Sequence, residues 1–368
     1  MKRIPELDAL RALAALLVIG MHFRGLLPFG WVGVQSFFVL SGFLVSQLLL
    51  EAKDRGTPFR DFYPNFLGRR ARRLLPLYFA YVLALAITYW ICGVPNRFAE
   101  VVAALASYTV NFHALKSWHP YSPAWNHLWS LAAEWQLYLT WPLVVWFAPP
   151  VQRARLFIAI LAAGPLIRFA TYFYCLGNPD LPTYQAGFRT ADAIYLLPWS
   201  HLDAFAAGAL VTCPAARQWL AKAGALAGLT LALALGGVIA IIFGDRGNGA
   251  VALGWPHPLP DAFQWMWGYS LLNLFNAGLL SFVLERGLKL LRLRTLQYLG
   301  TVSYGIYIFH LPVIALVGLR ARETLPWVVE LGLVTIVVTS LAHLSHFYWE
   351  RRFLQTRRAP QMVQIAPL

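Results

Sequence analysis

The sequence predicts an all-α fold: a polytopic membrane helix bundle of about ten spans, with both termini cytoplasmic. Three observations predict it. Hydrophobic residues make up 59% of the 368-residue chain and charged residues only 12%, against about a quarter charged in an ordinary soluble domain. Apolar windows of about 20 residues, long enough to cross a bilayer, recur along the whole length. Lys and Arg are concentrated in alternate segments between those windows, which is the positive-inside pattern.

The first span is expected over 6–23. No clear cleavage region follows it, so it reads as an uncleaved anchor. The second, 31–50, carries GVQSFFVLSGF, in which Gly33, Ser36, Ser41 and Gly42 allow close helix packing. The third, 74–93, follows the basic run RRARRLLP at 69–76. Residues 99–113 are also apolar, but a span there would invert every later loop, so they read as a surface or re-entrant helix. The remaining spans are expected at 128–148, 155–174, 191–212, 220–243, 262–284, 296–318 and 325–348. Under this scheme the cytoplasmic segments hold 21 of the 30 Lys and Arg and the outer segments 7, with Arg11 and Arg168 inside spans.

The net charge of +14 therefore reports topology and gives no reason to expect a nucleic-acid partner. Membrane lipid is the expected surround, and fifteen Trp and sixteen Tyr suit interfacial belts. Cys92, Cys175 and Cys213 lack metal-ligand spacing and read as small apolar residues, so no metal site is expected. Residues 1–350 are expected to form one transmembrane domain and 351–368 a short basic cytoplasmic tail. No soluble domain is expected, because the longest outer segment, 94–127, is too short for one.

Charged side chains within spans cost about 2.5–3.5 kcal/mol each at the bilayer centre, which makes them candidates for function. Arg11 and His22 are eleven residues apart, three turns plus about 20°, so they share a face roughly 16 Å apart along the axis. His127 and Glu134, seven apart in HLWSLAAEWQLYLTWP, also share a face. Asp203 in LDAFAAG and His310 in SYGIYIFHLP are further intramembrane candidates, with Ser41 and Tyr304 as possible supports. Arg69, Arg70, Arg72 and Arg73 anchor the topology and also suit phosphate, since guanidinium matches its geometry.

Together these stretches resemble the acyltransferase-3 family of integral membrane O-acyltransferases. ELDALRALAALLVIGMH resembles its first helix, with an Arg-x10-His signature at Arg11 and His22. GVQSFFVLSGFL resembles its second helix and RRARRLLPLY the start of its third. HLWSLAAEWQLYLTWP, LDAFAAGAL, SYGIYIFHLP and YWERRFL resemble its later blocks. Ala9 and Ala12 stand where the family often has glycine, and Trp135 where it often has a second carboxylate.

The resemblance implies a multi-pass protein of the cytoplasmic (inner) membrane of a bacterium. It implies transfer of an acyl group, usually acetyl from acetyl-CoA as co-substrate with no permanently bound cofactor, to a hydroxyl of an extracytoplasmic or lipid-linked glycan. On that reading His22 is the general base or, failing that, a transient acyl carrier. His127 or Glu134 orients it or binds the acceptor. Arg11 stabilises the thioester oxyanion or the donor phosphates, and the four arginines hold the nucleotide phosphates. Arg11 and His22 would then line one polar passage between the two faces of the bilayer. The outer segments WHPYSPAW and GDRGNGAVALGWPHPLPD carry an aromatic and polar mix suited to sugars. A secondary transporter is the alternative class, although no paired repeat is apparent; a succinyl or other acyl donor, or a small-molecule acceptor, is the alternative within the family.

Overall fold

A computed structural model of the chain describes residues 4–27, 29–116, 122–176, 194–224, 264–321 and 323–354. The expected span at 220–243 lies outside the described residues beyond its first turn. The loop 244–261, the first half of the WHPYSPAW segment and the tail after 354 also lie outside them. Among the described residues the chain is helical and contains no strand.

The first three helices are α1 (Pro5–His22), α2 (Val32–Asp54) and α3 (Phe59–Ile91). Two short helices follow, α4 (Pro95–Ala106) and α5 (Val110–Lys116), and then α6 (Trp129–Phe147) and α7 (Arg153–Leu176). Next come α8 (Leu202–Leu210), α9 (Pro214–Trp219) and α10 (Gln264–Arg286). The last are α11 (Arg294–Thr301), α12 (Ser303–Ala321), α13 (Trp327–Leu344) and α14 (Arg351–Leu354).

Five of the described helices are long and apolar enough to cross a membrane, or six if the bent pair α11 and α12 counts as one span. The expectation of ten is not met among the described residues, and the reasons are physical. α1 carries Glu6, Asp8 and Arg11 within 18 residues. α6 uses much of its length on Trp, Tyr and Gln besides Glu134. The expected span at 191–212 is broken: residues Pro198–His201 form a 3-10 turn, and the α-helix after it has only 9 residues. The expected span at 296–318 bends by 75° at Val302.

Residues 99–113 fall in α4 and α5, whose 12 and 7 residues are too short to cross about 30 Å of hydrocarbon at about 1.5 Å per residue. Their junction turns at Tyr108, which has φ 56°. One expectation needs correction here. The basic run was placed in a loop, but it lies inside α3, a single helix of 33 residues.

α2 is the axis of the bundle. Its apolar window is 78% buried, against 22–33% for the windows of α3, α7 and α13. α2 meets α8 at two reciprocal glycines. A Cβ on Gly42 would strike the carbonyl of Phe205, and one on Gly208 would strike the carbonyl of Val39. The small-residue run therefore does what such runs do in membranes, bringing two backbones into direct contact.

Gly208→Leu should therefore lower detergent-solubilised stability by about 1–3 kcal/mol through overpacking. Gly332→Leu, at a site where a Cβ meets nothing within 4 Å, should change it by less than about 0.5 kcal/mol. Thermal melts of the two variants check the contrast.

Candidate active site

Helical periodicity sorts the arginines of α3. Arg70 and Arg73 are three residues apart, on one face, and line a cavity of about 80 Å³ in the bundle. Arg69 and Arg72 point outward and are exposed. α1 supplies Arg11 to the same cavity, where its guanidinium donates to Asp8 one turn earlier at 2.8 Å. Arg70 also lies over the Tyr138 ring, 5.0 Å from its centroid. On α6, Glu134 accepts hydrogen bonds from Ser41 at 2.5 Å and from Tyr138, one turn on, at 2.6 Å.

The cavity thus gathers three guanidinium groups, one of them paired with Asp8, against one lining carboxylate with Oε1 engaged by two hydroxyls. Such a set suits an anion, since guanidinium is the side chain best shaped for phosphate or carboxylate oxygens. A second chamber of about 320 Å³ shares Arg11, Arg73 and Tyr304 with the first and adds Asp8, His346 and Glu350. Tyr304 helps form the partition and donates to the Leu74 carbonyl at 2.7 Å, tying α12 to α3.

Three imidazoles meet on the far side of one wall of the smaller cavity. That wall includes Phe37, Ser130 and Tyr307. The Ser130 and Tyr307 hydroxyls are 2.5 Å apart, and Tyr307 donates to the His127 carbonyl at 2.9 Å. Behind them His310 packs between the other two histidines, with ring centroids 5.1 Å from His22 and 5.2 Å from His127. Pro312 explains one of these contacts. Lacking an N–H, it leaves the Ile308 carbonyl without its helical donor, and His127 Nε2 donates to that carbonyl at 3.0 Å. His127 Nδ1 is buried without a hydrogen-bond partner.

The structure therefore joins Arg11, Arg70, Arg73, Glu134, Ser41 and Tyr304 around the cavity, and His22, His310 and His127 beside it. It corrects four expectations. Glu134 stands with the arginines, not beside His22. The ring that touches His22 is His310, not His127. His22 does not line the cavity that Arg11 lines. Between those two residues α1 buries Ala14, Ala15 and Val18, and Gly33 of α2 sits so close that a Cβ would strike the Ala14 carbonyl. The single polar passage expected along α1 is thus replaced by a cavity and an imidazole cluster divided by a wall. Finally, Asp203 belongs to neither group. It pairs with Arg168 at 3.0 Å, both side chains being fully buried, and Arg168 also donates to the Ser200 and Met266 carbonyls and to Ser270.

Sequence reasoning did not single out Tyr138, Ser130 or Tyr307, although Ser130 and Tyr138 stand four residues to either side of Glu134 and share its helix face. It also passed over Glu330, although a carboxylate inside an expected span is a signal. Glu330 is 1% exposed and forms an ion pair with Arg24, which is 33% exposed. Arg24 and Gly25 have φ 52° and 65° and reverse the chain just after His22. This ion pair clamps that end of α1 to α13. Among the described residues no group of His, Cys, Asp and Glu is arranged to hold a metal ion.

The comparison with known families decides what this arrangement belongs to: residues 4–344 match the model of an acyltransferase domain. The chain belongs to the acyltransferase family. Three curated relatives align over nearly all of this acyltransferase chain. YrhL of Bacillus subtilis, provisionally assigned as a peptidoglycan O-acetyltransferase, is 30% identical over 95% of this chain and 54% of its own length. OatA of Listeria monocytogenes, named a peptidoglycan O-acetyltransferase, is 26% identical over 96% of this chain and 56% of its own length. OatA of Staphylococcus aureus, named an O-acetyltransferase, is 26% identical over 96% and 57% respectively. The acyltransferase chain spans about half the length of these relatives. No solved structure matches it.

The Arg24–Glu330 pair makes an asymmetric prediction. Arg24→Ala strands a buried carboxylate, whereas Glu330→Leu leaves a guanidinium that still reaches solvent. Arg24→Ala should cost about 3 kcal/mol or more, and Glu330→Leu clearly less, read as apparent melting temperatures of the detergent-solubilised chain.

Proposed function

We propose that the chain is a membrane O-acetyltransferase of the bacterial cytoplasmic (inner) membrane. It takes an acetyl group from cytoplasmic acetyl-CoA and passes it to a hydroxyl of an extracytoplasmic or lipid-linked glycan, of the peptidoglycan type named for its relatives. The observation that carries the reading is the convergence of Arg11, Arg70 and Arg73 on one cavity, separated by only a thin hydroxyl-bearing wall from a cluster of imidazoles.

The parts divide the work. Arg70 and Arg73 hold the anionic donor from the face where basic residues concentrate. Arg11 sits at the junction of the two chambers and adds its charge to the hold on the donor phosphates. His22 is the general base, since an imidazole titrates near neutrality. The acceptor hydroxyl gives its proton to His22, its oxygen bonds to the thioester carbon, and the carbon–sulfur bond breaks. The proton then leaves with the thiol. Glu134, held by Ser41 and Tyr138, keeps the guanidinium cluster from being uncompensated while the site is empty.

His22→Ala should abolish acetyl transfer to a soluble peptidoglycan fragment by the purified chain, while acetyl-CoA still stabilises the protein thermally. Retained transfer removes His22 from the mechanism. The double reversal Arg70→Glu with Arg73→Glu should raise the dissociation constant for CoA at least about tenfold, as loss of charge-assisted hydrogen bonds predicts. The exposed pair, Arg69→Glu with Arg72→Glu, should raise it less. Equal effects from the two pairs would assign the arginines to general electrostatics and not to a shaped site.

A further inference from the structure

Two backbone carbonyls at the end of α1 and in α12 decide which nitrogens of the imidazole cluster carry protons. His22 Nδ1 lies 3.0 Å from the Val18 carbonyl oxygen. A carbonyl only accepts, so the proton of a neutral His22 is on Nδ1; the other tautomer would set two lone pairs against each other. His310 Nδ1 lies 2.6 Å from the Tyr307 carbonyl oxygen, and the same argument places the proton of His310 on Nδ1. That leaves His310 Nε2 as a lone pair, 3.3 Å from His22 Nδ1. The His22 N–H is therefore shared between Val18 and His310, and His22 Nε2 is left unprotonated. His22 is only partly buried, whereas His310 is fully buried.

We infer that His310 is a positioning residue for His22: beside the Val18 carbonyl it is the second acceptor of the His22 Nδ1–H, holding the ring so that Nε2 is the basic nitrogen presented to the acceptor hydroxyl. This rests on the reading of His22 as general base. When His22 takes the hydroxyl proton on Nε2, its Nδ1–H becomes a stronger donor, and His310 Nε2 is the lone pair already aimed at it. His310 thus fills, with a neutral ring, the orienting place that a carboxylate fills in other base-assisted acyl transfers. A neutral partner suits this site. A second carboxylate buried among the apolar side chains of α1, α12 and α13 would itself need a counter-charge. His310 gains its own fixed orientation from the helix that carries it, through the carbonyl three residues earlier.

The test uses the full chain in lipid nanodiscs and three substitutions. His310→Gln keeps an amide oxygen where Nε2 stands and still accepts from His22. His310→Leu keeps the volume and removes the acceptor. His22→Ala identifies the His22 signals in the nitrogen spectrum of 15N-histidine-labelled protein.

Wild type and both His310 variants should show His22 with a protonated Nδ1 and an unprotonated Nε2, because the Val18 carbonyl stays in place; His310→Leu should shift the Nδ1 resonance through loss of one acceptor, and His310→Gln should not. A wild-type His22 protonated on Nε2 overturns the inference whether or not transfer is seen. In kinetics, His310→Leu should lower kcat by about 10²-fold, with the KM for acetyl-CoA within about twofold, and His310→Gln should recover most of the loss. Full activity in His310→Leu overturns the inference, as does an equal loss in the two His310 variants with the tautomer intact. A wild type with the expected spectrum but no transfer to any glycan hydroxyl counts against the proposed function and leaves the tautomer assignment standing.

Discussion

A charge inside this bundle has to bring its own partner, and the architecture follows from that constraint. Each unpaired ion among apolar helices costs several kcal/mol, so the ionisable residues are tied off in sets. Arg168 is matched by Asp203 and by carbonyls. Arg24 is matched by Glu330, and Glu134 by two hydroxyls. These ties connect helices far apart in sequence: α7 to α8 and α10, the end of α1 to α13, and α2 to α6. Around the cavity that Arg11, Arg70 and Arg73 share, positive groups outnumber negative ones even with Asp8 paired to Arg11. The same rule that makes the other sets inert leaves this one suited to an anion.

The helical class and the central place of α2 follow directly from residue patterns. Apolar windows located α2, α3, α7, α10 and α13 because their surfaces face lipid or close-packed neighbours. The spans expected over 191–212 and 296–318 are interrupted in ways hydropathy cannot register, by a 3-10 turn at Pro198 and a 75° bend at Val302. Both breaks come from backbone geometry and leave composition nearly unchanged. The basic run also misled, since arginines are good helix formers and continue α3 well past the apolar stretch.

The candidate site was legible residue by residue but not in its grouping. Intramembrane polarity drew attention to Arg11, His22, Glu134, His127 and His310, and the fold sorts them into two neighbouring groups. Periodicity on one helix said which residues share a face, and α1 does carry Arg11 and His22 as spaced. It gave no information about what α2 and α12 insert between them. Only the fold places Phe37 and Tyr307 there, sets Glu134 beside the arginines and brings His310 from 288 residues away onto His22. Asp203 shows the converse. It had every mark of a functional carboxylate, and Arg168, its partner, was visible in the same sequence. Their pairing required α7 and α8 to be adjacent.

The wall of Phe37, Ser130 and Tyr307 has a consequence for the cell. On the proposed function, a protein that admits a charged molecule from one side and keeps basic nitrogens near the other runs the risk of leaking protons down the electrochemical gradient. An aromatic ring and two hydroxyls bonded to each other stand between those groups and work against a continuous file of water. The wall that divides the site would then also guard the ion gradient.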